Sequence, residues 1–321
     1  MEKLIIISIF SFIFTFFGTK LLKDFFIKKK IYDYPNQRSS HTKPVPTSGG
    51  LIIYFCIITI ILILDPYDKI PALITITGLA VLSWKDDLKN LNILVRLFFQ
   101  IFFISIYFFY LYSINFYQQI PLINIFFIIL IFTWFINIFN FMDGIDGISS
   151  LMTITICLGI VFAYLLNNSE YFPSFEIIII SICLAFLFWN WYPAKIFLGD
   201  IGSITLGFVC ALSLYWLLLD KNSWHWVLSL PMYYFLDTTV TLIKRFIEKK
   251  KIWKAHKEHF YQKAVQSGMK HSKVVFLISI LQVIIILTCY LVKNPYLVVF
   301  LAFIESLMLL IYFSSKYKKS T

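Results

Sequence analysis

Four polar clusters interrupt an otherwise apolar chain, and their residue types are those of phosphate and metal chemistry. They are Asp86-Asp87, Asp143-Gly144-Ile145-Asp146-Gly147, Gly199-Asp200-Ile201-Gly202-Ser203 and His256-x-x-His259. Only 14% of the residues are Asp, Glu, Lys or Arg while 60% are hydrophobic, and a carboxylate beside hydrocarbon must be paired, metal-bound or solvated. Asp143 and Asp146 are spaced i, i+3, which in a helical turn places both carboxylates on one side. Gly144 and Gly147 let a ligand approach the backbone closely. Asn137 and Asn140, upstream, add amides suited to a sugar or a uracil. Phe197 precedes the Gly199-Asp200 cluster, where a carboxylate, two glycines and a hydroxyl meet the expected start of a helix, whose free N–H groups suit phosphate. A carboxylate next to a phosphate pocket is a usual way to hold Mg²⁺. The adjacent carboxylates of Asp86 and Asp87 resist ionising together unless a cation sits near them.

Taken singly, each cluster has a plainer explanation. A Gly-Asp before a helix serves as a cap, and an Asp pair in a short loop is simply solvated. The stretch 253–263 around His256 and His259 fits an interfacial amphipathic helix. Two histidines without further clustered ligands fall short of a zinc site, and Lys254 and Lys257 alongside favour contact with phosphate. His225, between Trp224 and Trp226, reads as part of an aromatic belt. His271 reads as exposed, and Glu305, inside the last apolar run, has no account from sequence.

The elements that must position these clusters are apolar runs, each near the length of about 20 residues that a bilayer span needs. Eleven are expected, near 4–22, 50–64, 70–84, 93–113, 120–139, 148–167, 174–190, 201–219, 224–243, 274–292 and 296–313. The chain of 321 residues is thus an all-α polytopic membrane protein, a single integral membrane domain over 1–321 with no soluble domain. The third span is short. The first run has no small-residue cleavage site and reads as a retained helix. The five cysteines are scattered and suggest neither disulfides nor a metal site. Lys and Arg concentrate in alternate connections, near 23–49, 85–92, 191–200 and 244–273 and at the C-terminus. By the positive-inside rule those connections are cytoplasmic, the N-terminus lies outside and the C-terminus inside. All four clusters, that at 140–147 included, then share the cytoplasmic face. The net charge of +11 becomes a basic skirt suited to anionic lipids, phosphates and nucleotides.

In this order the clusters resemble those of the polyprenyl-phosphate N-acetylhexosamine-1-phosphate transferases (glycosyltransferase family 4, the MraY and WecA types). The matching residues are Asp86-Asp87, Asn140-x-x-Asp143-Gly-x-Asp146-Gly, Gly199-Asp200-x-Gly-Ser203 and the histidine motif. Supporting stretches are Asp33-Tyr-Pro35-Asn36-x-Arg38-Ser-x-His41 before Gly49-Gly50, 96–100, and 237–245. The resemblance implies transfer of a sugar-1-phosphate from a UDP-N-acetylhexosamine to undecaprenyl phosphate in a bacterial inner membrane, with release of UMP and a need for Mg²⁺ or Mn²⁺. It implies that Asp200 is the main metal ligand, with Asp87, and that Asp86 and Asp87 act on the acceptor phosphate, one as base or orienter. Asn137, Asn140, Asp143 and Asp146 would face the nucleotide, Phe197 would stack on uracil, and His256 and His259 would bind donor phosphate or sugar, with His41 a further substrate contact. Two departures stand out. Thr47 and Ser48 replace a basic residue that many relatives carry before the glycines, leaving Lys43 as the substitute. The motif His256-x-Glu258-His259-x-Tyr261-Gln262 lacks adjacent histidines, which resembles enzymes starting O-antigen or capsule on a 6-deoxy sugar such as N-acetylfucosamine or N-acetylquinovosamine, with N-acetylglucosamine the other donor.

Competing classes are a transporter, another intramembrane transferase acting on diphosphate lipids, and an inactive scaffold. A transporter calls for ionisable residues near the midplane, whereas these cluster at one face. No nucleic-acid partner is expected; the oligomeric state, a homodimer included, stays open.

Overall fold

The structure is a computed structural model that describes residues 2–35, 43–64, 68–89, 91–114, 121–220, 223–253 and 256–320. It is built of helices: α1 (Glu2–Lys29), α2 (Gly50–Leu64), α3 (Lys69–Lys89), α4 (Ile93–Ser113), α5 (Leu122–Met142), α6 (Ile148–Leu166), α7 (Ser174–Asn190), α8 (Gly199–Leu219), α9 (Trp224–Ser229), α10 (Met232–Ile247), α11 (Phe260–Gln266), α12 (His271–Leu291) and α13 (Pro295–Ser320). A two-residue hairpin, β1 (Tyr32–Asp33) with β2 (Val45–Pro46), is antiparallel with Tyr32 opposite Pro46.

Among the described residues, seven helices are long and apolar enough to cross a membrane: α1, α4, α5, α6, α8, α12 and α13. α2 and α7 are shorter apolar helices. Two departures from the expected spans have local causes. The run 224–243 is not one helix, because Pro231 supplies no N–H and separates α9 from α10; α10 then continues to Ile247. The third helix is not short. It runs on to Lys89 and carries Asp86 and Asp87 in its last two turns rather than in a loop after it. Asn92 then caps α4, its side chain accepting from the Leu94 N–H at 2.9 Å.

α8 is the hub. The bilayer-length stretch of this helix is 89% buried, against 17% for α1 at the periphery, and α8 packs on α2, α3, α5 and α6. Its start is pinned by a backbone clip: the Phe197 N–H donates to the Pro46 carbonyl, and Gly49 and Gly50 N–H donate to the carbonyls of Phe197 and Leu198, each at 2.8 Å. Gly50 requires its lack of a side chain, because a Cβ there would overlap the backbone of Gly202. The two glycines therefore form the crossing point of α2 and α8, two residues from Asp200. Gly50→Ala is expected to lower stability by roughly 1–3 kcal/mol, the usual cost of forcing extra volume into a packed site. Thermal unfolding in detergent checks this, and an unchanged midpoint would contradict so close a crossing.

Candidate active site

The ends of α3, α5, α7 and α10 and the starts of α4, α6, α8, α11 and α12 meet at one end of the bundle around a cavity of about 1080 Å³. On one wall, neighbouring positions on a helix point about 100° apart, so Asp86 and Asp87 divide their partners. Asp86 faces α4: its carboxylate accepts from Arg96 Nη1 at 2.6 Å and from the Leu91 N–H at 2.7 Å. Asp87 faces α8: it accepts from the Asp200 N–H at 2.8 Å and from the Ser48 hydroxyl at 2.9 Å. Arg96 also reaches Asp200 Oδ2, at 3.4 Å. Asn140 donates to Asp200 Oδ1 at 2.8 Å and to the Ser203 hydroxyl at 3.0 Å. Asp200 is thus held on both oxygens yet keeps 34% of its side chain open to the cavity, whereas Asp86 keeps 8%. Ser48 is thus a hydrogen-bond donor to this carboxylate set.

The second wall is the histidine loop, and Asp237 organises it. This fully buried carboxylate of α10 accepts from the Phe260 N–H at 3.0 Å and the Tyr261 N–H at 3.1 Å, and lies 3.1 Å from His259 Nδ1. A carboxylate only accepts, so the Nδ1 proton of His259 is directed to it and Nε2 is left for a ligand. At the start of α11 the His259 N–H donates to the Gln262 side-chain oxygen at 3.3 Å. Tyr261 donates to the Phe141 carbonyl at 3.0 Å, tying the loop to the end of α5. His256 stacks on His259 with ring centroids 4.9 Å apart. It lies in a loop, not on an amphipathic helix. Burial, then the neighbouring His259 and Arg245, lower its pKa from 6.5 to about 4.

The third wall is the turn between α5 and α6 together with the segment 190–197. Asp143 and Asp146 do not share a helical face, because residues 143–147 form a turn that Gly147 closes with φ 80°. Asp146 accepts from the Ala194 N–H at 2.9 Å and sits 3.2 Å from His271 Nδ1. Asn190 accepts from the Gly147 N–H at 2.9 Å and donates to the Ile196 carbonyl at 3.0 Å. Burial, then the charges of Asp200, Asp87 and Asp146, push the pKa of Asp143 well up. Phe197 lines the same wall.

The sequence profile of Glycosyl transferase family 4 matches residues 70–218, which span the helices from α3 to α8. The chain is 26% identical to a probable undecaprenyl-phosphate N-acetylglucosaminyl 1-phosphate transferase of Bacillus subtilis over 92% of this chain and 86% of that one. Over residues 70–218 the chain is similar to Glycosyl transferase family 4. It is also 28% identical to an undecaprenyl-phosphate alpha-N-acetylglucosaminyl 1-phosphate transferase of Thermotoga maritima, over 77% of each chain. It is 32% identical to a phospho-N-acetylmuramoyl-pentapeptide-transferase of Orientia tsutsugamushi, over 50% of this chain and 56% of that one.

The cavity gathers Asp86, Asp87, Asn140, Asp143, Asp146, Phe197, Asp200, His256 and His259. Asn137 is not among them. Its amide donates to Gln100 Oε1 at 2.8 Å and to the Thr133 carbonyl at 2.7 Å, away from the cavity. Lys43 is exposed and does not line the cavity either, and His41 lies outside the described residues. His271, expected to be exposed, is buried at 5% and lines the third wall. Arg96 and Asp237 lay within stretches noted only as supporting the resemblance; their roles depend on contacts 10 and 22 residues away. Glu305 accepts from the Thr288 hydroxyl at 2.8 Å, an interhelical bond between α12 and α13.

A histidine kept neutral when folded binds its proton more readily when unfolded, so stability is full above pH 6.5 and declines as pH falls from 6.5 toward 4. His256→Gln is expected to flatten that decline in thermal unfolding measured across the window. An unaltered slope would place the responsible groups elsewhere.

Proposed function

We propose that this protein transfers a sugar-1-phosphate from a UDP-N-acetylhexosamine to undecaprenyl phosphate at the cytoplasmic face of a bacterial inner membrane, starting a lipid-linked surface polysaccharide. An oxygen of the acceptor phosphate attacks the sugar-bearing phosphorus, the bond between the donor's two phosphates breaks, and UMP leaves. The observation that carries this reading is the convergence of Asp87, Asp200 and Asn140 with His259 on the walls of one cavity at the ends of apolar helices.

The charge balance of that cavity decides what else is needed. Six aspartates line it, Asp33, Asp86, Asp87, Asp143, Asp146 and Asp200, with Asp143 pushed toward its neutral form, against the permanent cations Arg96 and Lys251. Two anionic phosphates do not enter such a site without a further cation. Among the described residues no three His, Cys, Asp or Glu side chains form a ready cage. Mg²⁺ suits this donor set, because it binds through one or two carboxylates and fills its remaining positions with waters and substrate phosphates. Asp200, the more open carboxylate, and Asp87 beside it would hold the ion, which would offset the charge of the reacting phosphates. Asp86 anchors Arg96, so Arg96 is placed to meet an acceptor phosphate while Asp86 orients it. His259, with Nδ1 spent on Asp237, offers Nε2 to the donor, and His256 stacks beside it. Asp143, Asp146 and Phe197 form the wall for the nucleotide. Asn140 works through Asp200, since its amide donors are already committed there.

Two donors fit. The histidine motif, with Glu258 rather than a second histidine before His259, favours a 6-deoxy-N-acetylhexosamine and an O-antigen or capsule role by its resemblance to enzymes that start such chains. The names of the relatives from Bacillus subtilis and Thermotoga maritima favour N-acetylglucosamine.

The decisive assay incubates the purified protein with undecaprenyl phosphate, Mg²⁺ and a panel of UDP-N-acetylhexosamines, and measures released nucleotide. UMP release that requires lipid and divalent cation is expected. Asp200→Asn and Asp87→Asn should each lower turnover on the order of 10²-fold or more, the size seen when a positioned charged group is removed from reacting atoms. Release of UDP, or release that ignores chelator and both substitutions, would reject the assignment.

A further inference from the structure

The cavity holds two imidazoles whose Nδ1 atoms are each engaged by a buried aspartate. One is His259 with Asp237, at 3.1 Å, in the recognised motif. The other is His271 with Asp146, at 3.2 Å, on the opposite side of the sequence pattern and in no motif. His271 is the first residue of α12, is 5% exposed, and has the Tyr192 ring 5.0 Å from its own. The Asp146 N–H also points at the same Nδ1, at 3.4 Å; with the ring proton on Nδ1, the imidazole donates to the Asp146 carboxylate, the shorter of the two contacts. Asp146 is then tied on both oxygens, Oδ1 by His271 and Oδ2 by the Ala194 N–H. A carboxylate fastened this way has one orientation toward a ligand, and its fastening comes from three separate elements: the α5–α6 turn, the 190–197 segment and α12.

We propose that His271 is a positioning residue for the nucleotide half of the donor, acting by fixing the Asp146 carboxylate in the wall that also holds Asn190 and Phe197. The proposal rests on the phosphotransfer reading above and deepens it. α12 lies beyond the region matched by the family profile, which ends at residue 218, so the pair joins the profile-matched part of the chain to its C-terminal part.

The test compares His271→Ala, His271→Asn and His271→Gln in the full protein. Steady-state kinetics are measured with donor and acceptor varied separately, and calorimetric binding of UMP supplies a readout that needs no turnover. Loss of one charge-assisted hydrogen bond predicts a rise of about tenfold in donor KM and a matching loss of UMP affinity for His271→Ala, with kcat and acceptor KM nearly unchanged. His271→Asn, whose amide can take the place of Nδ1–H, should recover most of the affinity, and His271→Gln should not. The double variant His271→Ala with Asp146→Asn should be no worse than the worse single variant, because the two act as one unit. Equal loss in both KM values together with a lowered thermal midpoint would show a merely structural histidine and overturn the proposal. Rescue by Gln rather than Asn would overturn it as well, by placing the working atom at Nε2. A wild-type protein that releases no UMP and binds none would instead reject the phosphotransfer reading itself.

Discussion

Mutual repulsion among carboxylates is the constraint around which this end of the bundle is built. Charges of one sign crowded into a region of low dielectric raise one another's energy steeply, and four of the aspartates here have dedicated partners. Asp86 has Arg96, Asp87 has a helix-start N–H and a hydroxyl, Asp146 has a histidine and a backbone N–H, and Asp237 has two N–H groups and an imidazole. Asp200 is the least compensated relative to its openness, sharing Arg96 and one amide. The carboxylates of Asp86, Asp146 and Asp237 are each fixed in place, while Asp200 keeps a third of its side chain open to the cavity.

Those answers come from every part of the chain. The clip between 46–50 and 197–198 brings Ser48 to Asp87, the long reach of Arg96 joins α4 to both α3 and α8, and Asp237 fastens the loop after α10. Removing a partner from such a network leaves a buried charge uncompensated, which costs more than the contact itself contributes. This accounts for polar residues being few here and concentrated at helix ends, with the intervening helices free to be almost wholly apolar.

Periodicity and length made most of the helices legible from sequence: 50–64, 93–113 and 174–190 coincide with α2, α4 and α7. What failed were the places where a local rule met a tertiary one. Pro231 was visible as a breaker, yet the apolar run across it hid the division of α9 from α10. The i, i+3 spacing of Asp143 and Asp146 suggested a helix, but two glycines in five residues let the chain turn instead. Asn137 shares its helix and residue type with Asn140, and only packing shows that its amide meets Gln100. His271 carries no spacing signal at all, since its partner lies 125 residues away.

The contact of Gly50 with Gly202 has a mechanical side. Two rods that rock against each other move least where they cross and most at their far ends. Asp200 stands two residues from that fulcrum, and the clip at 197–198 holds the same spot. Tilting of α2 against α8, as a thicker or thinner bilayer would impose, sweeps their distant ends through the lipid while the carboxylate stays nearly still. Placed beside the crossing, that carboxylate is the part of the site such a tilt would displace least.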